Sequence, residues 1–404
     1  MGILNTISDT FWSTSVWLPP NTTWADIAPG SRPDVQHADY RHLIWPLPMA
    51  AVILFIRHVL EKYWFAPVGR SLGIKSVRPK PVPLNPVLDQ AYSQSSRLNH
   101  KTVVALAKQT DLTERQVERW WRKKRAQDKP TILVKFCENS FRCLYYTYSF
   151  IFGIVVLWDK PWLWNIKECW YSYPHQSISN DIWWYYMISM AFYWSLTASQ
   201  FFDVRRKDFW QMFIHHIITI ALIAFSWVCN LHRVGSLVLV VHDCADIFLE
   251  AAKLTKYAQY QKVCDTIFAI FIVVWLVTRL GMYPRIIYSS SVEAPQILPM
   301  FPAYYIFNSM LLLLLLLHIG WTYLIFQIAV QALRAGQMDG DVRSSSDEIS
   351  DSSVDNNGIA KENGTKKEPI TQQNGTPKKP RIEENGSAKT TQTKSDNSTP
   401  LTTQ

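Results

Sequence analysis

Cysteine is scarce and scattered in this 404-residue chain: Cys137, Cys143, Cys169, Cys229, Cys244 and Cys264 stand singly, with no CxxC pair. That spacing argues against a disulfide framework and against a cysteine-based zinc site, so the six read as lone buried thiols. The first residues lack a basic stretch followed by an apolar core, so no cleavable signal peptide is expected. Large apolar residues are almost missing from 341–404, where Ser, Thr, Asn, Gln, Asp, Glu and Lys dominate. Such a segment cannot bury enough surface to offset the entropy of ordering, and 336–404 is expected to be a disordered tail.

The rest is the reverse, strongly apolar and aromatic, with most of the chain's 18 Trp, 18 Tyr and 19 Phe. Seven candidate spans lie at roughly 43–65, 141–158, 182–202, 209–229, 234–252, 263–283 and 302–333. Each approaches the ~20 apolar residues that cross ~30 Å of hydrocarbon. The expected fold class is therefore an all-α polytopic membrane protein. Asp243, Asp246 and Glu250 interrupt the fifth span, and Arg57 interrupts the first, where it either snorkels or faces the protein interior.

Loops 66–135, 203–208 and 253–262 are rich in Lys and Arg, whereas 159–181, 230–233 and 284–301 carry few. The positive-inside rule then makes residues 1–42 lumenal and the C-terminus cytosolic. Asn21-Thr22-Thr23 fits as a lumenal glycosylation acceptor; the tail sequons at Asn363, Asn374, Asn385 and Asn397 would stay unmodified in the cytosol. A lumenal N-terminus also argues against reading Met1-Gly2 with Thr6 as a myristoylation signal. In the tail, Ser344, Ser345 and Ser352 each precede an acidic residue by three positions and are expected phosphorylation sites.

Residues 66–135 hold 15 Lys or Arg against 5 Asp or Glu, enough to account for the whole chain's net charge of +9. Within them, Leu112 to Arg125 resembles the recognition-helix region of a homeodomain, with Val103 to Lys108 as the preceding helix and Thr113 as N-cap. The position of that family's adenine-reading Asn holds Lys123, which contacts phosphate but cannot make the bidentate base contact. Pro81, Pro83 and Pro86 fall where the first helix should run, so a truncated module is expected. This homeobox-like unit, taken as 66–129, would attract phosphate with little sequence preference.

His215 and His216 lie side by side inside the fourth span, and His242, Asp243 and Asp246 lie in the fifth. Ionisable groups in hydrocarbon are costly and rarely persist without a task. If span four enters near Phe209, His215 sits about six residues in, ~9 Å at 1.5 Å per residue. Span five runs back, bringing Asp246 to about the same depth. Asp243, Asp246 and Glu250 form one stripe at i, i+3, i+7, able to face the histidines across a bundle interior. A carboxylate on one imidazole nitrogen would fix the tautomer and raise the basicity of the other, suiting general-base or nucleophilic acyl transfer. The bland alternative is a polar network that pins the helices together. A metal site would need a closed ligand set that no Cys pair or third well-placed His supplies, so none is expected.

The residues Asp203-Val-Arg-Arg-Lys-Asp208-Phe209, His215-His216-Ile-Ile-Thr219, Arg233-Val-Gly235, His242-Asp243-Cys-Ala-Asp246, Lys253, Cys264-Asp265 and Arg279-Leu280 resemble the longevity-assurance motif of the TLC-domain ceramide synthases. The similarity covers about 130–335, and a degenerate homeodomain upstream is typical of animal members. The resemblance implies six spans forming a helical barrel behind one extra helix, and acyl transfer from fatty acyl-CoA, a co-substrate, to a sphingoid base in the endoplasmic reticulum membrane. No permanently bound cofactor is implied. His215, His216, Asp243 and Asp246 would be catalytic; Arg205, Arg206, Lys207, His242, Lys253 and Arg279 would bind substrate or CoA. The loop at about Tyr288 to Leu298 would bear on acyl-chain length. Open expectations are a homo- or hetero-dimer, weak non-specific DNA binding, and a share of the protein in the nuclear envelope. The competing functions are a non-enzymatic TLC-domain lipid sensor and a membrane-tethered DNA-binding regulator.

Overall fold

The computed structural model describes residues 2–74, 76, 81–95, 98–204 and 206–335, and among these it is helical with no strand. Arg205, Ser344, Ser345, Ser352 and the four tail sequons lie outside the described residues. The helices that matter are α1 (Gly2–Phe11), α2 (Pro46–Leu60), α3 (Pro86–Gln94), α4 (His100–Thr110), α5 (Glu114–Asp128) and α6 (Ile132–Leu157). They continue with α7 (Asn180–Ser199), α8 (Phe209–Val228), α9 (His232–Tyr257), α10 (Gln261–Trp275) and α11 (Ala303–Ala335).

Six of them close a ring. α6 packs on α7, α7 on α8, α8 on α11, α11 on the extension of α10, α10 on α9, and α9 back on α6. A ring of apolar helices around a cavity satisfies every main-chain group internally, which hydrocarbon demands. Helix α2 lies outside this ring, across α7.

Among the described residues, five stretches are long and apolar enough to cross a membrane: Tyr40–Ser71, Glu114–Leu157, Phe209–Val228, Gln261–Ile297 and Ala303–Arg334. The two other expected spans, α7 and α9, are long enough at 20 and 26 residues but less apolar. Their place in the ring explains this. α7 is covered by α2 and turns Tyr185, Tyr186 and Tyr193 inward, while α9 carries the polar stripe into the interior. Helices surrounded by protein are released from the composition that lipid imposes.

The helix begun by α10 runs on to Ile297, past the expected end at 283, through π-helical turns at Leu276–Met282 and Ser289–Glu293. A third such turn, Glu61–Phe65, extends α2. Each is followed, two residues after its last, by a proline: Pro67, Pro284 or Pro295. A proline has no N–H to give and its ring crowds the carbonyl four residues back; widening the turn makes room without breaking the helix.

Helices α3, α4 and α5 form a small three-helix unit with its own core of Leu88, Val103, Leu106, Val117, Trp120 and Trp121. The first helix is short, as the prolines required, and starts at Pro86 behind the Asn85 cap. Thr113 and Gln116 make a capping box at the head of α5. Lys124 pairs with Asp89 at 2.6 Å, tying the third helix to the first.

The N-terminal segment is folded against the barrel. Trp17 is buried against Phe225 and Phe307, the Trp227 indole donates to the Asp39 carbonyl, and the Ile178 amide donates to the Gln36 carbonyl at 2.8 Å. His37 Nε2 meets His175 Nδ1 at 3.3 Å. Trp12 and Trp17, with Trp24 behind Trp12, thus pack over one end of the ring, whereas Tyr40 and Trp45 stay exposed.

Candidate active site

Two chambers lie end to end inside the ring. The apolar one, about 970 Å³, is lined by α8, α9, α11 and the 298–301 segment, and includes Leu222, Val238, Leu298 and Phe307. The polar one, about 1470 Å³, holds His215, His216, Asp246, Glu250, Arg142, Arg206, Lys253 and Arg279. Tyr193 and His242 line both and mark the waist.

α8 carries His215 and His216 into the polar chamber, their rings 5.8 Å apart. His215 packs against Trp321, and its Nδ1 has no hydrogen-bond partner among the described residues. His216 Nδ1 lies 3.1 Å from Gln200 Oε1. The Gln200 amide nitrogen donates to the Phe209 carbonyl at 2.7 Å, so the end turned to His216 is the oxygen. An amide oxygen only accepts; His216 Nδ1 therefore carries the proton and its Nε2 keeps the lone pair. The orienting group for His216 is thus an amide, where a carboxylate was expected.

The polar stripe of α9 divides its work. Asp243 does not line the chamber; it accepts from Ser149 of α6 at 2.6 Å. Asp246 accepts from Arg279 at 2.7 Å, and the same guanidinium nitrogen donates to the His242 carbonyl at 2.6 Å while its plane lies over Trp275. Arg279 stands on the π turn before Pro284, which aims it across to α9. Glu250 is buried and paired with Lys253 at 2.7 Å. Of the expected phosphate-binding cations, Lys253 and Arg279 are thus engaged with carboxylates inside the site. Arg206 lines the chamber and donates to Asn139 at 3.1 Å, whereas Lys207 is exposed and off the cavity wall.

The mouth of the polar chamber is braced by Asp203. It accepts from both terminal nitrogens of Arg57, at 2.6 and 3.1 Å, and from Arg142 at 2.9 Å; Arg142 also reaches Glu138. Arg57 therefore faces the protein, and it bonds the outer helix to the ring. Burial acts to raise the Asp203 carboxyl, but the Arg57 hydrogen bonds and the Arg142 charge outweigh it and hold the group below the ordinary carboxylate range. Among the described residues no cluster of His, Cys, Asp and Glu has the makings of a metal site.

Residues 135–327 match the TLC domain family and residues 86–130 match the homeodomain family. The chain is 41% identical to ceramide synthase 5 of Homo sapiens over 345 residues, 85% of this chain and 88% of the relative. It is 39% identical to ceramide synthase 4 of Homo sapiens over 353 residues, covering 87% and 89%. Ceramide synthase hyl-1 of Caenorhabditis elegans is 33% identical over 351 residues, covering 83% and 84%. The chain belongs to the ceramide synthase family.

Within that family frame, several residues of the site carried no sequence signal. Gln200, Tyr193 and Ser149 look like ordinary span residues, and Arg142 stands at the very edge of its span. His318 follows the leucine run of α11, and its ring lies 5.0 Å from that of His242. Only an imidazole inside an otherwise apolar span marked it.

Proposed function

We propose that the chain transfers a fatty acyl group from acyl-CoA to the amine of a sphingoid base, forming ceramide or dihydroceramide. The observation that carries this reading is one cavity with two characters: an apolar chamber for hydrocarbon chains and a polar one with the histidine pair. Family membership supports the ceramide product, and the named relatives are ceramide synthases. Orientation by the positive-inside rule puts the polar mouth at the cytosolic face, where acyl-CoA arrives, in the endoplasmic reticulum membrane. Asn21 is then lumenal; it is exposed in a turn, open to glycosylation.

The reacting group is His215, with His216 its partner. As general base it takes a proton from the amine while nitrogen attacks the thioester carbon. The C–N bond forms, the C–S bond breaks, and the proton passes to the CoA thiolate. As acyl carrier it attacks first and releases the thiolate, and the amine then displaces the imidazole. Asp246 balances Arg279, and Asp243 fixes α9 to α6 beneath the site. Arg206 is the candidate cation for the CoA phosphates. Purified protein given sphinganine and a panel of acyl-CoAs tests this reading. N-acylated product is expected, and its absence with every donor refutes it.

A further inference from the structure

His318 is 1% exposed, lines the polar chamber, and neither of its ring nitrogens has a hydrogen-bond partner among the described residues. Beside it, His242 Nδ1 lies 2.6 Å from the Val238 carbonyl, four residues earlier on the same helix. A carbonyl only accepts, so His242 Nδ1 is protonated and its Nε2, also unpartnered and buried, is an acceptor. Aromatic walls hold the rings from the sides: Tyr283 packs against both, and Trp275 against His318. Buried polar groups left unpaired are costly, and native proteins keep few of them. Here three unpaired ring nitrogens gather at the waist where the chambers meet.

What satisfies them must donate to His242 Nε2. A thioester carbonyl cannot, because it only accepts. A hydroxyl can: its one proton goes to His242 Nε2, and its lone pairs can accept from whichever nitrogen of His318 carries the proton. We propose that His318, with His242, forms a subsite for a hydroxyl neighbouring the amine of the acceptor lipid, and so selects amino alcohols over simple amines. The assignment rests on the acyl-transfer reading above. It makes His318 a specificity-determining residue of the acceptor side, and it explains a histidine at the end of a run of leucines.

The test uses the purified full-length chain with one acyl-CoA and three acceptors: sphinganine, its analogue lacking the C1 hydroxyl, and its analogue lacking the C3 hydroxyl. In the unaltered protein, kcat/KM for sphinganine is expected to exceed that for one deoxy acceptor by about 10- to 100-fold, the effect of leaving a buried hydrogen-bonding group unpaired. The analogue that suffers identifies the hydroxyl. In His318→Ala the ratio falls toward unity, and His318→Gln, which keeps a donor and an acceptor, retains part of it. Each ratio is taken within one preparation, so partial misfolding cancels. Equal kcat/KM for all three acceptors in the unaltered protein overturns the subsite, as does an undiminished ratio in His318→Ala. No product from any acceptor defeats the acyl-transfer reading itself, and the subsite with it.

Discussion

Replacing Asp203 with Asn removes one negative charge from a cluster that holds the outer helix to the barrel. The Asp203 side chain is 12% exposed, as is that of Arg57, and that of Arg142 is 15% exposed, so water cannot fully replace the carboxylate. Removing one partner of a buried pair costs about 3–5 kcal/mol. Arg57 keeps Glu61 at 2.7 Å and Arg142 keeps Glu138 at 2.7 Å, which argues for the lower end, about 3 kcal/mol. Reversible unfolding in mixed micelles, run as a cycle with Arg57→Gln, isolates the pair. The double variant should lose less than the two single losses added, by about 1–3 kcal/mol. Acid titration adds a second reading. With the folded-state value of Asp203 lowered, its stabilisation is complete above the ordinary carboxylate range and is lost as pH falls through the lowered value. Asp203→Asn should flatten that slope. Strictly additive losses, or a single variant within about 0.5 kcal/mol of the parent, would refute the clamp.

A methyl group at Gly235 would overlap the Tyr186 hydroxyl, which bonds Ser226 and the His232 carbonyl. Gly235→Ala should cost about 1–3 kcal/mol, seen as a lower melting temperature, with Tyr186→Phe in the double variant restoring part of it. Burial first, then the positive charges of His175 and Arg32, hold His37 below its ordinary value, with Asp34 acting the other way. A lowered folded-state value means stability present above about pH 6.5 and lost as pH falls below it. Hydrogen exchange at the Ile178 amide should therefore quicken between pH 7 and pH 5 after correction for the intrinsic rate, and His37→Gln should remove that dependence.

Much of the architecture was legible because membrane spans announce themselves by length and apolarity. The capping box at Thr113 and the short first helix behind Pro86 were equally local, set by neighbouring residues alone. Helix rise and a short connection already suggested that His215 and Asp246 share one interior, and both line the polar chamber. Long-range pairing was not legible. Nothing local ties Gln200 to His216 or Ser149 to Asp243, because each pair is made by the packing of separate helices of the ring, and Asp203 meets Arg57 only where the outer helix docks. The N-terminal segment read as a simple lumenal stretch, since its tryptophans pack on residues two hundred positions away. π turns likewise carry no hydrophobic period of their own, and only the following proline marks them.

The central claim is that the histidine pair performs acyl transfer, and His215→Ala tests it most directly. N-acyl product formed from sphinganine and acyl-CoA should be measured on purified variant and parent in the same micelles, alongside their melting curves. Turnover is expected to fall by at least about 10²–10⁴-fold, the contribution of a general base, with the melting temperature preserved. A folded His215→Ala protein that still acylates sphinganine at near-parental rate would contradict the account.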